Sequence, residues 1–124
     1  MKSKTLSRDD IFAFARREYK TIPEYLWART PNFAVLRRSD NKKWYAIIMD
    51  LPRHTMKLSG NGTVDVINVK CDSILIGMLM GGPYRPAWHM NKSTWISIIL
   101  DGTAPRDEIF ALIRQSYNLA GGKK

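Results

Sequence analysis

Between Asn32 and Leu100 the chain alternates apolar strand-like runs with turn signals, and an amphipathic helical pattern brackets this block at each end. That arrangement constrains the fold more than any other feature. A helix with one apolar stripe needs an apolar surface to cover it, and runs joined by short turns supply that surface as an antiparallel sheet.

The helix at the start is signposted by Ser7 as a cap, Asp10 three residues on, and Leu6 placed to pack on Ile11. Ile11, Phe12, Ala15 and Tyr19 continue the stripe, and Pro23 closes it. "NFAVLRR", the turn "SDNKK" and "WYAIIMDL" read as a hairpin, and after the turn "SGNG" a third strand, "TVDVINVKC", is expected. "DSILIGMLMGG" fits a short helix capped by Asp72 or Ser73 and stopped by Gly81-Gly82. "AWHMN" is expected as the fourth strand and "WISIIL" as the fifth, with Ile96, Ile98 and Leu100 on one face and Trp95, Ser97 and Ile99 on the other. The last helix opens at Pro105 and carries Ile109, Leu112, Ile113, Ser116, Tyr117 and Ala120 at helical spacing. The order α-β-β-β-α-β-β-α predicts an α+β two-layer sandwich with a five-stranded antiparallel sheet. Residues 1–120 are expected as a single domain and 121–124 as a flexible basic tail.

The 124 residues carry 20 Lys/Arg against 11 Asp/Glu, a formal charge of +9. Residues 1–43 contribute +6 (11 basic, 5 acidic), residues 44–80 zero, and residues 81–124 +3 (6 basic, 3 acidic). Such a surplus suits anionic partners or a solvated surface. One cysteine, Cys71, permits no internal disulfide. With no charged-then-apolar leader, and no apolar run near the ~20 residues that span a bilayer, the expectation is a cytoplasmic protein without a membrane partner.

Signals for catalysis and for metal are weak. His54, His89 and Cys71 lack ligand spacing, and no cofactor motif appears. Asp50, Asp65, Asp72 and Asp101 fall at strand ends, turns and caps, where aspartate serves the backbone. An enzyme would require His89 beside a carboxylate such as Asp101 in a deep pocket. No enzyme, metal site or cofactor is therefore expected.

Cations interleaved with aromatics remain. Arg37, Arg38, Lys42 and Lys43 surround a hairpin tip beside Trp44 and Tyr45. They can contact phosphates, or they can keep a sheet edge soluble. "YRPAWHMNKSTW" forms a second group, with His89, Asn91 and Lys92 near Trp88 and Trp95. Trp95 can stack on a base or lie under the linker that holds Tyr25 and Trp27. His89 to Thr94 reads as the turn before the last strand, where Asn91 and Lys92 either satisfy the backbone or meet a ligand.

"HMNKSTWISIILDG", followed by "IRQSYNLA", resembles the C-terminal signature of the MmcQ/YjbR family: His89, Asn91, Lys92, Trp95, Leu100-Asp101-Gly102 and Ser116-Tyr117. "NVKCD", Asn68 to Asp72, is similar to the family's strand-to-helix junction. The resemblance spans nearly the whole chain, though Pro23 to Lys43 has its own character. It implies a CyaY-like fold, related to frataxin and compared with type III secretion chaperones, and a DNA-binding label. It does not bring iron handling, because the first helix is Arg/Lys-rich where an acidic ridge would be needed.

Two functions follow as expectations. The first is a non-enzymatic DNA-binding protein whose backbone contacts come from Arg37, Arg38, Lys42, Lys43 and Lys92, with Asn91, Trp95 and His89 beside them. The alternative is a protein-interaction or chaperone-like adaptor, possibly homodimeric, suggested by the Met-rich "IGMLMGG" helix. Ordinary core packing is the competing explanation for that helix.

Overall fold

A computed structural model describes residues 6–121. Helix α1 spans Arg8–Tyr19, and strands β1 (Ala34–Arg37) and β2 (Trp44–Pro52) follow. A 3-10 turn, Arg53–Met56, leads to β3 (Thr63–Lys70) and α2 (Ser73–Leu79); β4 (Tyr84–Pro86), β5 (Trp95–Ile99) and α3 (Arg106–Ala120) complete the order. The five strands form one antiparallel sheet in the order β1-β2-β3-β5-β4. This is the expected α+β fold. The tail expected at 121–124 lies, beyond Gly121, outside the described residues.

The capping box of α1 is present: Ser7 Oγ accepts from the Asp10 amide at 3.2 Å, and Asp10 Oδ2 accepts from the Ser7 amide at 3.0 Å. Leu6 and Ile11 are both buried in one cluster. The stripe differs from expectation by one residue. Phe14, not Phe12, completes the buried set with Ile11 and Ala15, and it stacks on Phe110 of α3 at 4.4 Å. Phe12 and Tyr19 are half-buried. Helices α1 and α3 cover one face of the sheet, against Leu36, Ile48, Ile67, Ile96 and Ile98.

The opposite face is apolar too. Val35, Ile47, Met49, Leu51, Val66 and Ile99 form a second buried cluster there with Met56 of the 3-10 turn. Loops carrying Phe33, Trp88 and Met90 cover it. The "WYAIIMDL" run is apolar on both strand faces because helices meet one side of it and loops the other.

A bulge allots residues to the two sides. Leu36 pairs with Ala46 but Arg37 pairs with Trp44, so Tyr45 is the extra residue. Tyr45 therefore turns to the helix side, fully buried, and its hydroxyl donates to Thr21 Oγ1 at 2.7 Å. Trp44 goes to the loop side. The β2–β3 ladder ends at Ala46 and Val69. Beyond that pair, Ser116 Oγ of α3 accepts from the Lys70 amide at 2.8 Å and donates to the Tyr45 carbonyl. A helix hydroxyl thus takes the place of the next rung.

The fourth strand corrects the sequence expectation. It is Tyr84–Pro86, and residues 87–94 form a loop. The Trp88 N–H and C=O are taken by side chains rather than by a neighbouring strand, and His89 adopts a left-handed backbone at φ 58. A ladder cannot continue through such residues.

Candidate nucleic-acid interface

The hairpin-tip cations divide into two kinds. Arg37 makes a two-point ion pair with Glu24, its Nε donating at 3.0 Å, and this pairing holds the Glu24 carboxyl below its ordinary range. Arg38 donates to both oxygens of Asp40, at 2.9 and 2.8 Å, and to the Tyr117 carbonyl at 2.7 Å. Its guanidinium lies 4.1 Å from the Tyr117 ring centroid. That pairing holds Asp40 down to about 2. Both arginines are thus engaged in holding the hairpin to the linker and to α3. Sequence alone leaves them open to phosphate contact or to keeping a sheet edge soluble, and carries no sign of these partners.

Lys42 and Lys43 are exposed, and Lys42 takes the left-handed turn position at φ 65. Every ion pair among the described residues is made by an arginine; Lys20, Lys42, Lys43, Lys57, Lys70 and Lys92 make none. Lys70, not singled out in the sequence, belongs with Lys43. Its ammonium is held below the ordinary lysine range by burial first and by the Lys43 charge second. Lys70 pairs across the sheet with Trp95, and its Nζ sits 4.8 Å from a ring centroid of that indole. Trp95 is on the loop side as expected, yet only 7% exposed, with the Lys70 ammonium over its ring.

The antiparallel order brings the start of β2, the end of β3 and the start of β5 to one end of the sheet. Lys43, Lys70 and the turn that holds Lys92 therefore share that end. The turn itself is an Asn91 construction: Asn91 Oδ1 accepts from the Ser93 amide at 2.9 Å, and its carbonyl accepts from the Trp95 amide at 3.0 Å. Asn91 serves the backbone, whereas Lys92 and His89 point their exposed side chains at a cavity.

That cavity and a second one flank Trp88. The first, about 430 Å³, has Lys57, Arg85, His89 and Lys92 in its lining and no carboxylate. The second, about 270 Å³, is walled by Trp27, Phe33, Trp44 and Trp88 over a floor that includes Ile47 and Met49. Trp88 is fixed between them by a buried polar pair. Asn68 Nδ2 donates to the Trp88 carbonyl at 2.9 Å, the Trp88 amide donates to Ser97 Oγ at 3.0 Å, and Ser97 Oγ donates to Asn68 Oδ1. Asn68 and Ser97 are cross-strand partners, both fully buried. Strand polarity at Asn68 and Ser97 was the signal that could have revealed this clamp.

His89 and Asp101 do not form a pair. His89 packs edge-on to Trp88 at 3.9 Å, whereas Asp101 lies past the far end of β5 and accepts from the Thr103 amide at 3.0 Å. Among the described residues no three His, Cys, Asp or Glu side chains gather as metal ligands, and no helix is long and apolar enough to cross a membrane. Burial pushes the Cys71 thiol up from its ordinary range.

Helix α2 bears out core packing for one stripe of the Met-rich run, where Leu75 and Leu79 pack on the helix-side cluster, but not for the other. Ile76 is buried, but Ile74 and Met78 are 75% and 76% exposed and Met80 is exposed beside them.

Comparison with known proteins agrees with this architecture. The YjbR family model matches residues 16–119. The uncharacterized protein YyaQ of Bacillus subtilis is 43% identical over 115 residues, 92% of this chain and 98% of YyaQ. The uncharacterized protein YjbR of Escherichia coli K12 is 42% identical over 36 residues, 29% of this chain and 30% of that protein. A crystal structure of a Pseudomonas syringae protein superposes with a TM-score of 0.88 at 39% identity, covering 92% of this chain and 98% of the other. A Deinococcus radiodurans protein shares the fold at a TM-score of 0.76 and 19% identity, covering 99% of this chain and 84% of its own. The signature residues, the sheet order and these matches converge: the chain belongs to the MmcQ/YjbR family.

Proposed function

We propose that this chain is a non-enzymatic, cytoplasmic nucleic-acid-binding module, with DNA as its partner. It meets the phosphate backbone through the loop side of its sheet at the hairpin end. The observation that supports this reading is the gathering of lysines without ion-pair partners on the loop side, where the Glu24 carboxylate is already taken by Arg37. The strand carboxylates Asp50 and Asp65 fall between residues of the loop-side cluster in sequence and so face the helix side, where Asp65 pairs with Arg8 at 3.0 Å. The ionisable strand residues of the loop side are Arg37, Lys70 and Arg85, and Lys43, Lys57 and Lys92 stand around them without ion-pair partners. Lysines in that condition suit phosphate oxygens, with little dependence on sequence. Fluorescence anisotropy with labelled DNA and RNA at rising salt tests it. Affinity should fall steeply with salt and be higher for DNA; an isotherm indifferent to salt removes the proposal.

The exposure of Ile74 and Met78 favours a second reading, an adaptor or homodimer that uses α2. Light scattering that shows only monomer at high concentration, with no change on Met78→Lys, counts against it.

A further inference from the structure

The two cavities beside Trp88 differ in chemistry and share a wall. On one side Trp27, Phe33, Trp44 and Trp88 wall about 270 Å³, on the other Lys57, Arg85 and Lys92 line about 430 Å³, and His89 borders both. We propose that together they seat one unstacked nucleotide of a single-stranded nucleic acid, its base in the aromatic cavity and its phosphate in the cationic one. This rests on the nucleic-acid reading above and adds the form of the strand and the place of the base.

The aromatic wall suits a planar guest. Trp27 meets Phe33 and Trp44 at interplanar angles of 77° and 87°, and Phe33 meets Trp88 at 81°. Phe33, Trp44 and Trp88 are half-buried against the sheet, whereas Trp27 is exposed on its loop and offers the accessible ring surface for stacking. A quaternary ammonium group also suits aromatic walls. Here, however, no carboxylate lines either cavity, and the neighbouring rim is cationic. The guest is therefore planar and attached to an anion. The larger cavity alone falls within the roughly 300–1,000 Å³ of small-molecule sites.

The same geometry selects a single strand. A base inside a duplex cannot enter a cavity without leaving its stack, whereas a single strand offers its bases freely. Neighbouring phosphates have Lys70 and Lys43 to meet at the hairpin end of the same face. Arg85 is fixed by donating to the Gly82 and Met56 carbonyls, which leaves Lys57, His89 and Lys92, all exposed, to follow the phosphate.

The test uses the full chain and labelled oligonucleotides of about a dozen nucleotides, within the known span of such sites. Trp27, 37% exposed on its loop, is replaced in Trp27→Ala, and Lys92→Glu reverses the rim charge. Thermal melts confirm that both variants fold; Phe33→Leu probes the same wall should Trp27→Ala fail. The single strand should bind more tightly than the matched duplex and quench indole fluorescence. Trp27→Ala should weaken the single strand about tenfold, as loss of a stacking face does, and leave duplex binding unchanged. Lys92→Glu should weaken both. Equal affinity for the two forms, with Trp27→Ala and Phe33→Leu indistinguishable from wild type, overturns the nucleotide seat while a steep salt dependence still upholds backbone binding. Failure to bind any strand at low salt overturns both, and binding of a mononucleotide alone overturns the single-strand assignment.

Discussion

Asn68 and Ser97 are buried cross-strand partners on the loop side of the sheet, and their amide and hydroxyl are spent on the two backbone groups of Trp88. Removing either partner strands a buried group without solvent. Ser97→Ala should therefore cost about 1–3 kcal/mol, and Asn68→Ala a similar amount, measured by urea denaturation. Tyr45 makes a second prediction at this scale. Burial pushes its hydroxyl up to about 12. The folded state therefore holds this proton more tightly than the unfolded chain, whose tyrosines titrate near 10. The associated stability is full below pH 10 and is lost as pH rises from there through 12. A denaturation midpoint that falls over that window in wild type, and less in Tyr45→Phe, checks it. Pairing at this scale was largely hidden in the sequence. Arg37 finds Glu24 only because residues 24 and 35 exchange backbone hydrogen bonds, a long-range event with no local signature. Lys70 likewise looked like any strand lysine until β5 laid Trp95 beside it.

The elements were far more legible. Caps and periodicity located α1, α2 and α3 because helix ends and stripes are local properties of a chain. Phe14 displaced Phe12 because α3 presents Phe110 to that side of α1, a fact of docking rather than of spacing. The fourth strand moved upstream because the Trp88 backbone is satisfied by side chains. Two substitutions test the joints between elements. Ser116→Ala removes the hydroxyl that bridges the Lys70 amide and the Tyr45 carbonyl. It should destabilise by about 1–3 kcal/mol and speed hydrogen exchange at the Lys70 amide. Asp72 Oδ1 accepts from the Ile74 and Leu75 amides at 3.0 and 3.1 Å, so Asp72→Ala should cost about 1 kcal/mol in thermal melts.

For the whole molecule, composition announced a cationic surface but not its arrangement. The charge excess by sequence thirds weighted the first third, where Arg8, Arg37 and Arg38 are engaged in ion pairs. Only the fold shows that unpaired lysines from the hairpin tip, β3 and the turn before β5 meet at one end. Three such contacts, from Lys43, Lys70 and Lys92, with a single strand predict a slope near −2 in a plot of log affinity against log salt, from about −0.7 per phosphate. Lys43→Ala should lower that slope by about one contact, and salt titration of the two proteins measures the difference.

The fixed tryptophan has a kinetic corollary. Since the wall between the cavities is already held by the sheet, a strand arriving there finds no segment waiting to be ordered, and little conformational entropy is left to surrender on capture. Stopped-flow association should remain proportional to oligonucleotide concentration without reaching a plateau, and salt should slow it through the encounter alone.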